Sequence, residues 1–188
     1  MDWITRTTPE MTATGRTIHG IVAPFNTYAQ VFDTKGPSRP YEERIAPGAF
    51  ARSIRERGHK VTLVHEHQHQ TTMPIGKATR LEEQGPGLYA EFTVARTDRG
   101  EEALQLVKDG ILTGFSIRAG IGRSKNDSRT QVTRHELALA DVSLTTSPVY
   151  DSAGVAGVRS QFGDPDDELL MSTEYAIQLL SFRSKVRT

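Results

Sequence analysis

The stretch GLYAEFTVARTDRGEEALQLVKDGILTGFSIRAG, residues 87–120, changes its hydrophobic period twice, and those two changes set the fold class. Leu88, Ala90, Phe92 and Val94 alternate with less apolar neighbours, the period of a strand with one buried face. Past this strand the period becomes helical: Ala103, Leu104 and Val107 form a stripe, Asp98 suits the N-cap with Glu101 three residues on, and Gly110 suits the far end. Ile111 to Ala119 then reads as another strand.

Working outward from this unit gives mostly strands. Upstream, Ile75 to Leu81 pairs with Leu88 to Val94 through the turn EEQGPG, where glycines flank a proline. Ile18 to Phe25 reads as the first strand, and Asn26 to Pro40 as a loop. In IAPGAFARSIRERG, Pro47 suits a first helical turn, Phe50 and Ile54 stand at i and i+4, and Gly58 suits a C-terminal cap. Downstream, GRSKNDSRT reads as an exposed turn and Gln131 to Thr146 as one long strand or two shorter ones. The expectation is an α+β fold, mainly β, with a few helices around the sheet.

A chain of 188 residues is long enough for one domain with a tail. Three segments are expected: a flexible lead-in over 1–15, one globular domain over 16–158, and a linker with a short amphipathic helix over 159–188, the helix in MSTEYAIQLLSFRSKV. The 23 basic and 23 acidic residues cancel, so bulk charge points to neither nucleic acid nor an anionic membrane as partner. No cysteine is present, which removes disulfides, thiolate metal sites and a cysteine nucleophile. MDWITRTTPEMTATG has no apolar core of a secretion signal, and no apolar run approaches the roughly 18 residues of a membrane span.

Three places carry side chains with chemistry. Val61, Leu63, His65, His67 and His69 fall on one face of an extended strand that starts apolar and ends in imidazoles. Imidazoles titrate near neutral pH, so this patch can supply a general base, a metal ligand, or only a polar strand end. As a zinc signature it is weak, because no carboxylate or cysteine accompanies the histidines on that face, although His135 elsewhere is a further imidazole. In LTGFSIRAG, Ser116 lies between Gly114 and Gly120, and close-packed glycine backbone can present N–H groups to an oxyanion. The G-x-S-x-G elbow is absent, since Arg118 stands where its second glycine would be. In LALADVSL, Asp141 interrupts apolar residues, so it needs a partner: backbone donors, a cation such as Arg134, or an imidazole that it orients. Ser143 is a competing hydroxyl in the same segment.

Five segments in order, GIVAPFN, YEERIAPGAF, VTLVHEHQHQTTMPIGKA, GLYAEFTVARTDRGEEALQLVKDGILTGFSI and LADVSLTTSPVYDSA, together resemble the phage prohead proteases, capsid-maturation serine enzymes related to herpesvirus assemblins. The resemblance covers most of residues 15–155. It implies an assemblin-like β-barrel core over 16–158, and a triad of Ser116 as nucleophile, His67 as base and Asp141 as the acidic member. Counting back from the PIG turn at 74–76 selects His69 instead, and His65 keeps the acidic neighbour, Glu66, that the family has after its histidine. Arg118 replaces a family glycine. The resemblance further implies no cofactor or metal, action on the major capsid protein and its scaffold segment, self-association and self-processing at the termini, and a place inside the immature head in the host cytoplasm. The rival readings are a metal-dependent hydrolase built on His65, His67, His69 and His135, and a non-enzymatic capsid assembly module.

Overall fold

The computed structural model describes residues 3–8, 12–32, 40–65 and 73–146. In chain order its strands begin with β1 (Trp3–Thr8), β2 (Thr12–Thr14), β3 (Thr17–Pro24), β4 (Ala29–Phe32), β5 (Pro40–Ile45) and β6 (Thr62–Val64), helix α1 (Ala51–Arg57) lying between the last two. They continue with β7 (Gly76–Glu83), β8 (Gly87–Val94), β9 (Gly114–Ile121), β10 (Ser124–Asn126), β11 (Gln131–Arg134) and β12 (Leu137–Thr145), helix α2 (Asp98–Lys108) lying between β8 and β9. The described residues are therefore mainly β with two α-helices. None of these helices is long and apolar enough to cross a membrane.

Eight strands form one sheet in the order β1-β9-β12-β6-β7-β8-β3-β2. Laid flat, eight strands about 4.8 Å apart would separate β1 from β2 by roughly 34 Å. Yet Thr8 and Thr12 are only four Cα steps apart, a reach of about 15 Å at 3.8 Å per step. The sheet is obliged to curl, and β3 accordingly lies against β1 and β9 from its opposite end. The result is a half-barrel whose inside holds Ile18, Val22, Leu63, Phe92, Phe115, Ile117 and Val142, all buried in one cluster. Phe92 and Phe115 meet across it with ring centroids 5.9 Å apart.

The two β-strands expected at either end of the sequence's central unit are present, and the helix between them ends as the glycine foretold. Gly110 has φ +68°, its N–H bonds to Val107 O at 3.1 Å, and Ile111 N–H bonds to Leu106 O at 2.9 Å, which closes the last turn. That turn consumes Ile111 and Leu112, so β9 starts at Gly114 rather than Ile111. The N-cap is Thr97, not Asp98: Thr97 is extended and its Oγ1 accepts from Gly100 N–H at 3.2 Å. Asp98 and Glu101 sit in the first turn, where acidic side chains favour the helix dipole. At α1 the helix starts after the Pro47 turn, and its orphan donors are met from β7, with Glu83 accepting from Gly48 N–H at 2.9 Å and Phe50 N–H at 2.7 Å. Gly58 is the C-cap of α1 as expected, its N–H bonding to Ile54 O, but in ordinary helical conformation, and a 3₁₀ turn follows from it.

Three expectations about local structure need correction. Order does not begin at Ile18, because β1 and β2 of the supposed lead-in already pair in the large sheet. Backbone ladders do not ask for apolar side chains, and threonine favours strands. The supposed loop Asn26 to Pro40 contains β4, and GRSKNDSRT contains β10; with β5 and β11 they form a second sheet, β10-β11-β5-β4. The stretch 131–146, by contrast, is the pair of shorter strands that was one of its two expected readings, one strand in each sheet. The tail after Val158, with its expected helix, lies outside the described residues.

Buried charge anchors the second sheet. Glu43, fully buried, accepts from Arg134 Nε at 2.6 Å, and Arg134 also donates to Ser124 Oγ at 2.9 Å and Tyr41 Oη at 3.1 Å. Removing one partner strands the other charge. Beside it, Asp127 accepts from Thr133 and from Tyr28 Oη, and the Thr133 hydroxyl above all holds its carboxyl below the ordinary range, against the opposing effect of desolvation.

Glu43→Ala is expected to cost roughly 3–5 kcal/mol in urea-unfolding stability, the cost of a broken buried ion pair; a loss below about 1 kcal/mol contradicts this account. Because the Asp127 carboxyl is depressed, its stabilising contribution is complete above the ordinary carboxylate value of about 4 and is lost as pH falls through the depressed one. Asp127→Asn should therefore lower the melting temperature at neutral pH and narrow the gap to wild type in acid, a comparison thermal melts at several pH values can read.

Candidate active site

The site grows out of β12, which pairs with β9 on one side and β6 on the other. Its sequence LALADVSLT carries apolar residues at 137 and 139, then at 142 and 144, so the buried parity changes midway. The structure makes the change with a β-bulge at Ala140, where the ladder shifts between Leu139 and Asp141. Leu137, Leu139, Val142 and Leu144 all reach the core as a result. Asp141 and Ser143 are turned to the opposite face.

On β9 the same face receives the even-numbered residues, because Phe115, Ile117 and Ala119 fill the core. Register then builds two rows across four strands. One row is Val64, Ser143, Ser116 and Thr7, from β6, β12, β9 and β1; the next is Thr62, Asp141, Arg118 and Thr5. Three segments far apart in sequence are thus neighbours, and Val64 and Ser116 are two strand spacings apart, about 10 Å. β6 and β12 are parallel, so the chain leaves β6 at the end of the sheet toward which β12 also runs past Ser143.

Ser116 is 4% exposed, and its Oγ has no hydrogen-bond partner among the described residues. A buried hydroxyl without a partner costs about 1–3 kcal/mol. Ser143, the competing hydroxyl, is directly opposite it and equally buried. Asp141, 6% exposed, has the partner its burial demands, but that partner is Arg118 rather than Arg134. Arg118 Nε donates to Asp141 Oδ2 at 2.8 Å and a second guanidinium N–H donates to the same oxygen. Arg134 is committed to Glu43 in the other sheet.

His65 is exposed in the bend that follows β6. The single strand face expected to run from Val61 to His69 ends at Val64 in the ladder. His67 and His69 lie outside the described residues. Val61 and Leu63 face the core, opposite to Ser116. His135 is half-buried between β11 and β12, in the second sheet's connection to the first. Among the described residues, no three His, Asp or Glu side chains are grouped to hold a metal. β9 pairs with β12 over Gly114–Ile121 and with β1 over Phe115–Gly120, so Gly120 lies between two ladders while Gly114 has a ladder on one edge.

The family described as caudovirus prohead serine protease matches residues 8–166. The prohead protease of Enterobacteria phage HK97 is 28% identical over 144 residues, which span 74% of this chain and 61% of that protein. The chain therefore matches somewhat under two thirds of the length of that curated relative. A solved structure, the bacteriophage T4 capsid assembly protease, overlaps 77% of this chain and 99% of its own at 10% identity, with a TM-score of 0.46.

Ser116→Ala removes an unpartnered buried hydroxyl and should leave stability equal to wild type or raise it by about 1 kcal/mol. Urea denaturation checks this, and a loss beyond about 1 kcal/mol would mean the hydroxyl has a structural bond.

Proposed function

The chain belongs to the caudovirus prohead serine protease family, and on that premise we propose that it is a serine endopeptidase of phage head maturation with Ser116 as its nucleophile. The observation that carries the assignment is the buried, unpartnered Ser116 Oγ, in a strand row that begins where β6 releases the histidine-bearing segment 65–69. Within this reading His67 takes the hydroxyl proton as Oγ attacks the scissile carbonyl, then gives that proton to the leaving amine as the acyl-enzyme forms. Water, deprotonated by the same imidazole, releases the acyl group. Asp141 orients the imidazole and balances its charge when protonated. His69 and His65 are the alternative bases.

The substrates in this reading are the major capsid protein with its scaffold segment, and the enzyme's own termini, cut inside the immature head in the host cytoplasm. Self-association accompanies that role. The likeness to herpesvirus assemblins, with a barrel as catalytic core, is part of the same proposal; the curled eight-stranded sheet that seats Ser116 supports it.

Co-expression of the full chain with its cognate capsid protein tests the assignment. Ser116→Ala should slow capsid processing at least about a thousandfold, seen as uncleaved capsid protein on a gel, with expression and solubility unchanged. Processing at the wild-type rate would refute it. Alanine at His65, His67 and His69 in turn should abolish processing at one position only.

A further inference from the structure

The reading just given uses Asp141 but leaves Arg118 without a task. Ile117 alone separates Arg118 from Ser116, so both side chains leave β9 on one face, about 7 Å apart along the strand. Across the ladder Arg118 is the register partner of Asp141, as Ser143 is of Ser116. The guanidinium gives two N–H groups to Asp141 Oδ2, and its side chain is 28% exposed while the carboxylate side chain is 9% exposed. A largely buried carboxylate next to the nucleophile is thus bonded by a cation from the nucleophile's own strand.

Among the described residues, Lys77 of β7 is the register partner of Thr62 and so a further cation in the row of Asp141, two strands away from it. Thr62 of β6 and Thr5 of β1 occupy its row, and Ser143 and Thr145 are its polar neighbours on β12. His65 follows β6 and is exposed. From α1, Ser53 bonds the β12 backbone at Leu139, and Arg52 is tied to Glu56 and Glu136.

We propose that Arg118 is a positioning residue for the reaction at Ser116: it fixes the Asp141 carboxylate in the row beside the nucleophile and shares its negative charge. An unshared carboxylate within about 4–6 Å of an imidazole favours the protonated ring. Sharing that charge with Arg118 lets the base stay neutral, and the serine reactive, to lower pH. The inference rests on the assignment of Ser116 and an imidazole base made above.

The test is the rate at which a fluorophosphonate labels the full chain between pH 5 and 9. Arg118→Met, which keeps the aliphatic stem and removes the charge, should move the acid-side limb up by about one pH unit, about tenfold slower labelling there relative to its own plateau. Arg118→Lys keeps the charge but not the planar fork, so its limb should stay at the wild-type position while its plateau falls. A methionine limb that coincides with wild type overturns the inference, and so does a lysine limb displaced as far as the methionine one. Arg118→Gln carries the same comparison if the methionine variant does not fold. Labelling of Ser116→Ala at the wild-type rate would instead sink the nucleophile assignment, leaving the two failures distinct.

Discussion

One extra residue in β12 decides the geometry of everything near it. Without the bulge at Ala140, the alternation that buries Leu137 and Leu139 would continue and turn Asp141 and Ser143 toward the core, with Val142 and Leu144 outward. With it, four apolar side chains reach the core and two polar ones join Ser116 and Arg118. The hydrophobic demand on Val142 and Leu144 holds the polar face in place, since any slip of register would bury a carboxylate among Phe115 and Ile117. Core packing and site geometry are two readings of one register.

This register also explains why the site combines rigidity with an unmet hydrogen bond. β9 is bonded on both edges, so its backbone has no freedom to carry Ser116 toward a local acceptor. The strand Cβ directs the hydroxyl away from the ladder. The cost of leaving it unpartnered is borne by a large apolar cluster on the reverse face of the same strand.

Much of this was legible in the residues, and what escaped has physical reasons. The alternation of Leu88 to Val94, the stripe of α2 and the role of Gly110 were readable because each rests on side-chain period or a backbone angle that glycine alone adopts freely. The burial of Asp141 was readable from its apolar flanks. Its partner was not, because pairing Arg118 with Asp141 depends on the bulge, whose one trace in sequence is the parity change inside LALADVSLT. The second sheet was missed because Glu43 occupies a fully buried position in it and reads as surface until Arg134 is brought to it across 91 residues. Ser116 itself has no telling local pattern. Its assignment came through resemblance, and the unpartnered hydroxyl is a property that only three dimensions express.

The short span between β1 and β2 has a consequence of its own. The two strands border opposite margins of the large sheet while being consecutive in the chain, so β1 and β2 act as a clasp on a hoop. Cutting or deleting that clasp removes a strand from one margin and the tether from the other in a single event. It also bares the outer edge of β9, the strand that carries Ser116, and a bared edge accepts any extended peptide by backbone bonds alone. The integrity of the first few residues is therefore a condition on the surroundings of Ser116.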